Sequence, residues 1–371
     1  MRNLSVLIKP SSSSCNIDCK YCFYKDEDKL REKRNIQLMD IETMEVIVRK
    51  AFEFADGKII FVFQGGEPTL MGITFYEKFI EFVNRYNEND TDTEFSIQTN
   101  GLLIDEKWCL FFKKHKFLVG ISFDGTPRIH DIYRVNYEGV GTSHGVIYAI
   151  RNMQKLGVEY NVLMVITHDS VSSVRECYEF LKKLGVSYLQ IIFALDPYGE
   201  GKCSQPYSIS KKDLELFLIS LFDIWYKDFV RNQEVRVTYF ENIIYKMMGN
   251  AHSQCAMNGM CSIEMVIESD GNVYPCDFYV ADQWNLGNLH ETSFESILHS
   301  QTAAYFLEES IGIGNKCRTC EWSGLCQGAC RRYQLCSDGQ YENYYCDAYK
   351  AFFKHAHQRM LRIAKAISNN T

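Results

Sequence analysis

Short runs of apolar and β-branched residues alternate with segments whose apolar residues recur every three or four positions. Runs of the first kind are typical of buried strands, and segments of the second kind are typical of amphipathic helices. The predicted strands are Leu4–Lys9, Lys58–Gln64, Thr93–Thr99, Phe117–Phe123, Glu159–Thr167 and Ser187–Phe193. The predicted helices between them are Asp40–Ala55, Ile73–Tyr86, Asp105–Lys114, Ser143–Leu156 and Ser172–Leu184. Six strand–helix units with right-handed crossovers predict an α/β fold with a parallel sheet, either open or curved into a partial barrel.

The pattern changes in the last third of the chain. Two more helices are predicted at Lys211–Val230 and Val237–Met248, and the sequence then becomes dense in cysteine and punctuated by glycine. An amphipathic segment at Asp347–Ala366 predicts a terminal helix. Because 371 residues exceed what one hydrophobic core usually serves, we expect two domains, residues 1–235 and residues 236–371.

Composition narrows the class of protein. A formal net charge of −7 argues against nucleic acid as the main partner. No run approaches 18 apolar residues, so no membrane span is predicted, and Leu4–Ile8 is too short for the apolar core of a signal peptide. The fifteen cysteines therefore indicate metal or cluster ligands that are kept reduced in the cytoplasm rather than disulfides.

The first cysteine group follows the first predicted strand. Cys15, Cys19 and Cys22 form a C-x3-C-x2-C run on one short segment. Three thiolates suit three corners of a [4Fe–4S] cluster, which usually has four cysteine ligands, so the fourth iron would stay open for chemistry. The alternative is a structural zinc loop, although zinc in such sites normally has four protein ligands.

Polar residues and glycines also follow the next three predicted strands, at Gln64–Pro68, Gln98–Gly101 and Ser122–Gly125. Each segment alone is compatible with ordinary turn chemistry. Together with the cysteine run they lie at the carboxyl ends of successive parallel strands, which meet at one face of a sheet or barrel. The sequence therefore predicts one site at that face.

Eight further cysteines occupy the C-terminal region, enough for two fully ligated [4Fe–4S] clusters. They are Cys255, Cys261, Cys276, Cys317, Cys320, Cys326, Cys330 and Cys346. A module with two zinc ions is the alternative. Cys336 competes with Cys346 for the place of the last ligand.

The cysteine run and the segment Gly65–Pro68 resemble the radical S-adenosylmethionine (radical SAM) superfamily. The resemblance implies a (β/α)6 partial TIM barrel whose open iron binds the amino and carboxylate groups of SAM. It also implies that Gly66 contacts the SAM amino group, although a tight turn would equally explain the glycines. Tyr21 would lie near the adenine, and its alternative is a packing aromatic.

The same resemblance assigns three more contacts with SAM. Ser122 and Arg134 would hold the ribose hydroxyls and the carboxylate, and Leu195 would contact the adenine. A guanidinium forms a planar fork that suits a carboxylate. The alternative for Arg134 is an ion pair with Asp131 or Glu138 on the surface.

The C-terminal cysteine spacing is similar to that of the SPASM extension of radical-SAM proteins. By this resemblance the first auxiliary cluster is held by Cys255, Cys261, Cys276 and Cys330. The second is held by Cys317, Cys320, Cys326 and Cys346. The chain would then carry three [4Fe–4S] clusters.

The peptide Tyr274–Tyr279 resembles anaerobic sulfatase-maturating enzymes, in which the acid after the cluster cysteine is the catalytic base. That acid is Asp277 here, and a carboxylate is a suitable acceptor for a thiol or hydroxyl proton. The alternative is an aspartate that accepts hydrogen bonds from loop N–H groups.

This resemblance implies an oxidoreductase that converts a Cys or Ser of a sulfatase peptide into Cα-formylglycine through a 5′-deoxyadenosyl radical. Its partners would be an unfolded or nascent sulfatase peptide and an electron donor such as flavodoxin or ferredoxin. One alternative is another SPASM peptide maturase that forms thioether or carbon–carbon crosslinks. A second is an electron-transfer or metal-scaffold protein, which would need neither an open-site cluster nor the Gly65–Pro68 loop.

Overall fold

The computed structural model of the chain describes residues 1–32, 37–251, 253–310, 315–337 and 340–368. The strands are β1 (Leu4–Ile8), β2 (Lys58–Phe63), β3 (Asp92–Thr99), β4 (Phe117–Ser122), β5 (Tyr160–Ile166), β6 (Tyr188–Phe193), β7 (Arg236–Val237), β8 (Val266–Ile267), β9 (Asn272–Tyr274), β10 (Gly287–Asn288), β11 (Gln334–Ser337) and β12 (Gln340–Asn343). The helices are α1 (Tyr24–Lys29), α2 (Ile41–Phe54), α3 (Ile73–Tyr86), α4 (Glu106–Lys114), α5 (Pro127–Tyr133), α6 (Ser143–Leu156), α7 (His168–Val171), α8 (Val174–Lys183), α9 (Lys211–Phe229), α10 (Thr238–Met247), α11 (Phe294–Leu298), α12 (Gln301–Ser310), α13 (Asn315–Arg318), α14 (Ser323–Cys326) and α15 (Cys346–Ser368).

The predicted alternation of strands and helices is confirmed. The six predicted strands are β1 to β6, and the predicted long helices are α2, α3, α4, α6, α8, α9, α10 and α15. Side-chain caps explain two of the helix starts: Asp40 accepts a hydrogen bond from the Thr43 amide at 2.7 Å, and Asp105 accepts one from the Trp108 amide at 2.9 Å. The sequence analysis missed the short helices α1, α5, α7 and α11 to α14 and the short strands β7 to β12.

Two compact units can be distinguished. The first comprises Met1–Ser122, Asp131–Asn161 and Ser262–Leu307. Its strands follow the order β10, β9, β8, β1, β2, β3, β4. Strands β1 to β4 pair in parallel, and β8 also pairs in parallel with β1, placing Leu7 opposite Val266. The cysteine-rich part of the chain therefore extends the sheet of this unit beside its first strand.

Aromatic side chains on neighbouring strands form the core of the first unit. Phe61, Phe95 and Phe117 occupy directly paired positions of β2, β3 and β4. Their ring centroids lie 6.2 Å and 5.3 Å apart, and Phe79 of α3 packs on Phe61 at 5.2 Å. Such cross-strand aromatic pairs stabilise a sheet and fix its register. The positions of the strand ends that carry the predicted site are thereby fixed relative to one another.

The second unit comprises Phe123–His130, Val162–Cys261 and Glu308–Thr371. Its strands β5, β6 and β7 pair in parallel. Phe222 of α9, Phe240 of α10 and Phe352 of α15 form its aromatic core, with ring centroids 5.3 to 5.9 Å apart. Within the described ranges, no helix is both long enough and apolar enough to cross a membrane.

Candidate active site

The cysteine run forms a loop immediately after β1, and a second segment of the first unit holds its backbone. The Asp18 amide donates to the Val135 carbonyl at 2.7 Å, and the Lys20 amide donates to the Tyr133 carbonyl at 3.0 Å. Within the loop, the Cys22 amide donates to the Cys19 carbonyl at 3.3 Å. Hydrogen bonds to carbonyl groups outside the loop therefore help to fix the conformation of the backbone that carries the three cysteines.

A polar group lies close to two of the three thiols. Cys19 is buried, whereas Cys15 and Cys22 are half-buried. The Asn100 side-chain amide lies 3.6 Å from the Cys15 sulfur, and the Arg134 guanidinium lies 3.8 Å from the Cys19 sulfur. Burial raises the pKa of Cys15 to about 11, although the hydrogen bond from Asn100 acts in the opposite direction. A set of three thiols with a nearby amide and cation fits three ligands of a [4Fe–4S] cluster.

Gly66 lies against the backbone that leads into the cysteine loop. Its amide donates to the Ser12 carbonyl at 2.7 Å, and the next amide, of Glu67, donates to the Ser14 carbonyl at 2.8 Å. A Cβ atom at position 66 would lie 2.0 Å from the Ser14 carbonyl oxygen. Glycine is required there because two stretches of main chain approach closely. The loop after β2 thus supports the residues directly before Cys15.

Glu67 joins three loops of the site, a role that the sequence analysis did not predict. It is fully buried, and it accepts hydrogen bonds from the Thr69 amide at 3.0 Å, the Thr99 hydroxyl at 2.7 Å and the Asn100 amide at 2.7 Å. Asn100 in turn donates to the Asn16 side chain at 2.7 Å. Burial raises the pKa of Glu67, while these donors oppose that rise. Its carboxylate therefore positions the loops after β2 and β3 against the cysteine loop.

Two of the predicted SAM contacts lie beside the cysteine loop. Tyr21 and Arg134 are both buried, and the guanidinium lies 5.4 Å from the centroid of the tyrosine ring. The same ring lies 5.9 Å from that of Tyr133. Arg134 thus occupies an interior position next to the Cys19 thiol. A guanidinium forms a planar fork that suits a carboxylate, so this position is compatible with the predicted contact to the carboxylate of SAM.

The two remaining predicted contacts lie at other strand ends. Ser122 ends β4 and is buried, and its hydroxyl accepts a hydrogen bond from the Gln98 side chain at 3.0 Å. Gln98 was not predicted as a site residue, although it lies in one of the polar segments that follow strands. Leu195 is a buried residue of the second unit, two residues after β6.

Asp277 is buried on the loop after β9 and has one engaged and one unengaged oxygen. Its Oδ2 atom accepts hydrogen bonds from the Tyr24 hydroxyl at 2.8 Å and the Gln64 side chain at 2.9 Å. Its Oδ1 atom is buried and has no hydrogen-bond partner among the residues that the structure describes. Burial raises the pKa of this carboxyl group. The predicted alternative had a carboxylate bound by loop N–H groups, whereas these partners are side chains of other elements.

A cluster of buried charged side chains lies near Asp277 in the core of the first unit. The Lys9 ammonium lies 2.8 Å from Glu268 and 3.4 Å from Glu27, and all three side chains are at most 2% exposed. The same ammonium lies 4.6 Å from the centroid of the Tyr24 ring. Because Glu268 comes from the turn after β8, this cluster joins the first strand and α1 to the Ser262–Leu307 segment.

The charges of this cluster depend on one another. Burial alone disfavours the charged ammonium, yet attraction to Glu268, Glu27 and Asp277 holds the pKa of Lys9 above its usual range. Burial would raise the pKa of Glu268, but Lys9 and Arg31, 3.3 Å away, hold it below its usual range. Burial raises the pKa of Glu27 well above its usual range. Lys9 is therefore the central cation of the cluster.

We expect Lys9→Met to destabilise the protein by about 3–5 kcal/mol, because it removes the central cation from a buried cluster in which Arg31 is then the remaining cation near Glu268. Chemical denaturation under anaerobic conditions measures the change. Lys78→Met, at an exposed lysine on α3, is the control. Adding Glu268→Gln to Lys9→Met should restore part of the loss, and an unchanged unfolding midpoint in Lys9→Met would contradict this account.

The predicted auxiliary-cluster ligands are divided between the two units. Cys276 belongs to the first unit, where it directly precedes Asp277. Cys255 is exposed and belongs to the second unit. The other ligands in the second unit are half-buried: Cys261, Cys317, Cys320, Cys326, Cys330 and Cys346. Burial raises the pKa of Cys326 to about 11.

The predicted ligands in the second unit lie in short helices or in turns beside them: Cys317 lies in α13, and Cys326 ends α14. The Cys320 amide donates to the Cys317 carbonyl at 3.2 Å, and Cys346 begins α15. The rival ligand Cys336 lies on β11, and its side chain is outside the described residues. Cysteines on such turns are typical of iron–sulfur sites.

Family models and relatives match this sequence over most of its length. The model of the Radical SAM superfamily matches residues 10–181, and that of the SPASM iron–sulfur cluster-binding domain matches residues 255–321. A cysteine-type anaerobic sulfatase-maturating enzyme of Clostridium novyi is 42% identical over 370 residues, 99% of each chain. A serine-type enzyme of Bacteroides thetaiotaomicron is 28% identical, over 99% of this chain and 92% of the relative.

A solved structure is also similar over almost the whole chain. Native anSMEcpe with bound AdoMet and the Kp18Cys peptide has 39% sequence identity and a TM-score of 0.93, covering 98% of this chain and all of that one. The predicted fold class, a (β/α)6 radical-SAM core with a SPASM-type extension, is confirmed. The predictions of SAM and three [4Fe–4S] clusters as cofactors, and of an oxidising enzyme, are also confirmed. The chain therefore belongs to the family of anaerobic sulfatase-maturating enzymes, radical-SAM enzymes that oxidise a residue of a sulfatase peptide.

Proposed function

We propose that this enzyme is of the cysteine type and that Asp277 is its catalytic base. The target would be one cysteine of an unfolded or nascent sulfatase peptide, and the product Cα-formylglycine. The cysteine-type relative is 42% identical, whereas the serine-type relative is 28% identical, which favours a thiol target. The single observation that carries the role of Asp277 is its buried Oδ1 atom, which has no hydrogen-bond partner.

The reaction removes two electrons and two hydrogens from the target side chain. When bound, the clusters and SAM supply the one-electron chemistry that takes a hydrogen atom from Cβ and receives the second electron. Asp277 would accept the thiol proton at Oδ1, leaving a thioaldehyde. Water then replaces the sulfur, which leaves as hydrogen sulfide, and the aldehyde remains.

The neighbours of Asp277 would orient it for this transfer. Tyr24 and Gln64 both donate to Oδ2, at 2.8 Å and 2.9 Å, and thereby turn the other oxygen away from themselves. A base must be held within hydrogen-bond reach of the proton that it takes. Burial of the carboxylate raises its pKa, which makes it a stronger base than an exposed aspartate.

The ligand sets of the three clusters are part of this proposal. The open-site cluster would be held by Cys15, Cys19 and Cys22. The first auxiliary cluster would be held by Cys255, Cys261, Cys276 and Cys330, and the second by Cys317, Cys320, Cys326 and Cys346. The division into a radical-SAM domain at residues 1–235 and a SPASM-type domain at residues 236–371 is proposed with them.

The binding of SAM would use the residues around the cysteine loop. We propose contacts from Tyr21, Gly66, Ser122, Arg134 and Leu195. The buried guanidinium of Arg134, 3.8 Å from the Cys19 sulfur, supports its role toward the carboxylate of SAM. A flavodoxin or ferredoxin would supply electrons, and the enzyme would act in the cytoplasm.

Two short peptides test the proposed substrate. The reconstituted enzyme is incubated anaerobically with SAM, dithionite and a sulfatase-motif peptide that carries either Cys or Ser at the target position. We expect the Cys peptide to lose two hydrogens and to exchange sulfur for oxygen, as read by mass spectrometry, and the Ser peptide to react more slowly. Formation of 5′-deoxyadenosine without a change in either peptide would instead favour another SPASM peptide maturase.

A further inference from the structure

The start of α15 carries one proposed cluster ligand and three other side chains at helical spacing. Cys346, Lys350, Phe353 and His357 follow one another along this helix. Residues three and four positions apart lie on the same face of a helix. We call this set the ligand face of α15. Both Cys346 and Lys350 are half-buried there, so the thiol and the ammonium are partly removed from solvent.

The ligand face of α15 packs on the segment that carries the other three ligands of the proposed second auxiliary cluster. Trp322 lies between Cys320 and Cys326 in this segment. Its ring stacks on that of Phe353 with centroids 5.8 Å apart, and it meets the His357 ring edge-on at 5.1 Å. The Cys326 amide donates to the Trp322 carbonyl at 3.0 Å, so this ligand and the tryptophan share one turn. The ligand face therefore points toward the segment with the other ligands.

The ammonium of Lys350 interacts with thiols on both of these elements. Burial raises the pKa of Cys346, which lies on the helix itself, and Lys350 opposes that rise. Burial also raises the pKa of Cys317, which lies in α13, and Lys350 again acts in the opposite direction. The cation thus lies near ligands that come from two separate stretches of the chain.

The other charged residues beside these ligands occur as opposite pairs. They are Lys316 with Glu342, Lys211 with Asp347, and the exposed Arg318 with Glu321. The first two pairs are ion pairs, at 2.8 Å and 3.5 Å. Among the residues that the structure describes, Lys350 has no carboxylate at ion-pair distance. Together with Lys246 of α10, which interacts with Cys326, it leaves the surroundings of the four thiols with a positive excess.

A positive charge near an iron–sulfur cluster affects its two oxidation states unequally. Reduction adds one negative charge to the cluster, so a nearby cation stabilises the reduced state more than the oxidised state. Partial burial weakens the screening of this interaction by water and salt. The potential of a [4Fe–4S] cluster depends on such charges as well as on its ligands.

We propose that Lys350 raises the reduction potential of the second auxiliary cluster, held by Cys317, Cys320, Cys326 and Cys346. The inference rests on the proposed function and its ligand sets, and it names a residue that governs where the second electron of the reaction is held. In that step the peptide radical loses one electron and the oxidised cluster gains one. No ligand bond forms or breaks, and a higher potential makes this cluster a better acceptor.

A redox titration followed by electron paramagnetic resonance tests the proposal. The reconstituted holoenzyme is titrated anaerobically without peptide. A parallel titration with SAM identifies the open-site cluster, and Cys346→Ser identifies the signal of the second auxiliary cluster. We expect Lys350→Met to make that cluster about tenfold harder to reduce, which is about 59 mV for a one-electron couple. The first auxiliary cluster should keep its potential.

Three further variants separate charge from packing. Lys350→Arg keeps the charge and should keep the potential, whereas Lys350→Gln removes the charge with a polar side chain and should match Lys350→Met. Lys365→Met is the matched control, because Lys365 is an exposed lysine of the same helix. It lies 15 residues further along, about 22 Å away at 1.5 Å per residue, which is beyond the range of screened charges. All potentials should be unchanged in this variant.

The possible outcomes distinguish this proposal from the proposed function. An unchanged potential in Lys350→Met with iron for three clusters would overturn the proposal. So would an equal fall in Lys350→Arg, or loss of the cluster in both neutral variants, since either result would indicate a role in packing. The titration requires no product, so absence of formylglycine in the unaltered chain would count against the proposed function alone.

Discussion

Replacing Asp277 by asparagine is expected to lower formylglycine formation by about 10²- to 10⁴-fold, the usual contribution of a general base. Asparagine has nearly the same shape and can still accept a hydrogen bond from Tyr24 at its oxygen. The asparagine side chain cannot take up the thiol proton, because an amide group is not basic in the pH range in which the enzyme acts. Cleavage of SAM to 5′-deoxyadenosine should continue, so that cleavage and peptide oxidation become uncoupled.

The measurement compares 5′-deoxyadenosine, by chromatography, with formylglycine, by mass spectrometry, in the same anaerobic reaction. Asp270→Asn is the control, since Asp270 is an exposed residue of the same segment, in the turn between β8 and β9. It should leave both products unchanged. Formylglycine formation by Asp277→Asn at the rate of the unaltered chain would remove Asp277 from the role of base.

The second large effect is expected from Gly66→Ala, which should prevent the open-site cluster from forming. The added Cβ would lie 2.0 Å from the Ser14 carbonyl oxygen and 2.7 Å from the Ser13 carbonyl carbon. Both are main-chain atoms directly before Cys15, so the cysteine loop itself would have to move. Overpacking of this kind typically costs about 1–3 kcal/mol even where side chains can adjust.

Iron content and SAM cleavage measure this effect. We expect Gly66→Ala to bind less iron by the amount of one cluster, to produce no 5′-deoxyadenosine, and to keep the spectroscopic signals of the auxiliary clusters. Gly201→Ala is the matched control, because a Cβ there would meet no heavy atom within 4 Å. Full iron content and normal SAM cleavage in Gly66→Ala would show that the loop tolerates the methyl group.

Local patterns in the sequence were sufficient for the elements and for the number of clusters. Apolar runs and helical periodicity placed β1 to β6 and their helices, because each pattern reflects which face of one element is buried. The cysteine run Cys15–Cys22 indicated one open-site cluster, because ligands on one short loop are close together, and the resemblance to the SPASM extension implied two more clusters. Asp277 was predicted through its position directly after a cluster cysteine, and its role remains a proposal.

The surroundings of Asp277 depend on the tertiary structure. Strand β8 has two residues, too few for a periodic pattern. Its pairing with β1 nevertheless places the chain segment that leads to Asp277 beside the segment that leads to Lys9. This pairing brings Tyr24 and Gln64 to the carboxylate and buries Lys9 between Glu27 and Glu268.

The sequence by itself determined the strands β1 to β6, the long helices and the cysteine groups, since these follow from residue types at short spacing. Only the tertiary structure decided which charged residues are buried and which carboxylate oxygen is left without a partner. Charged residues are usually exposed, and nothing in the spacing of Lys9 and Glu268 indicates that they meet. Their contact arises because a strand pairing joins residues that are more than 250 positions apart.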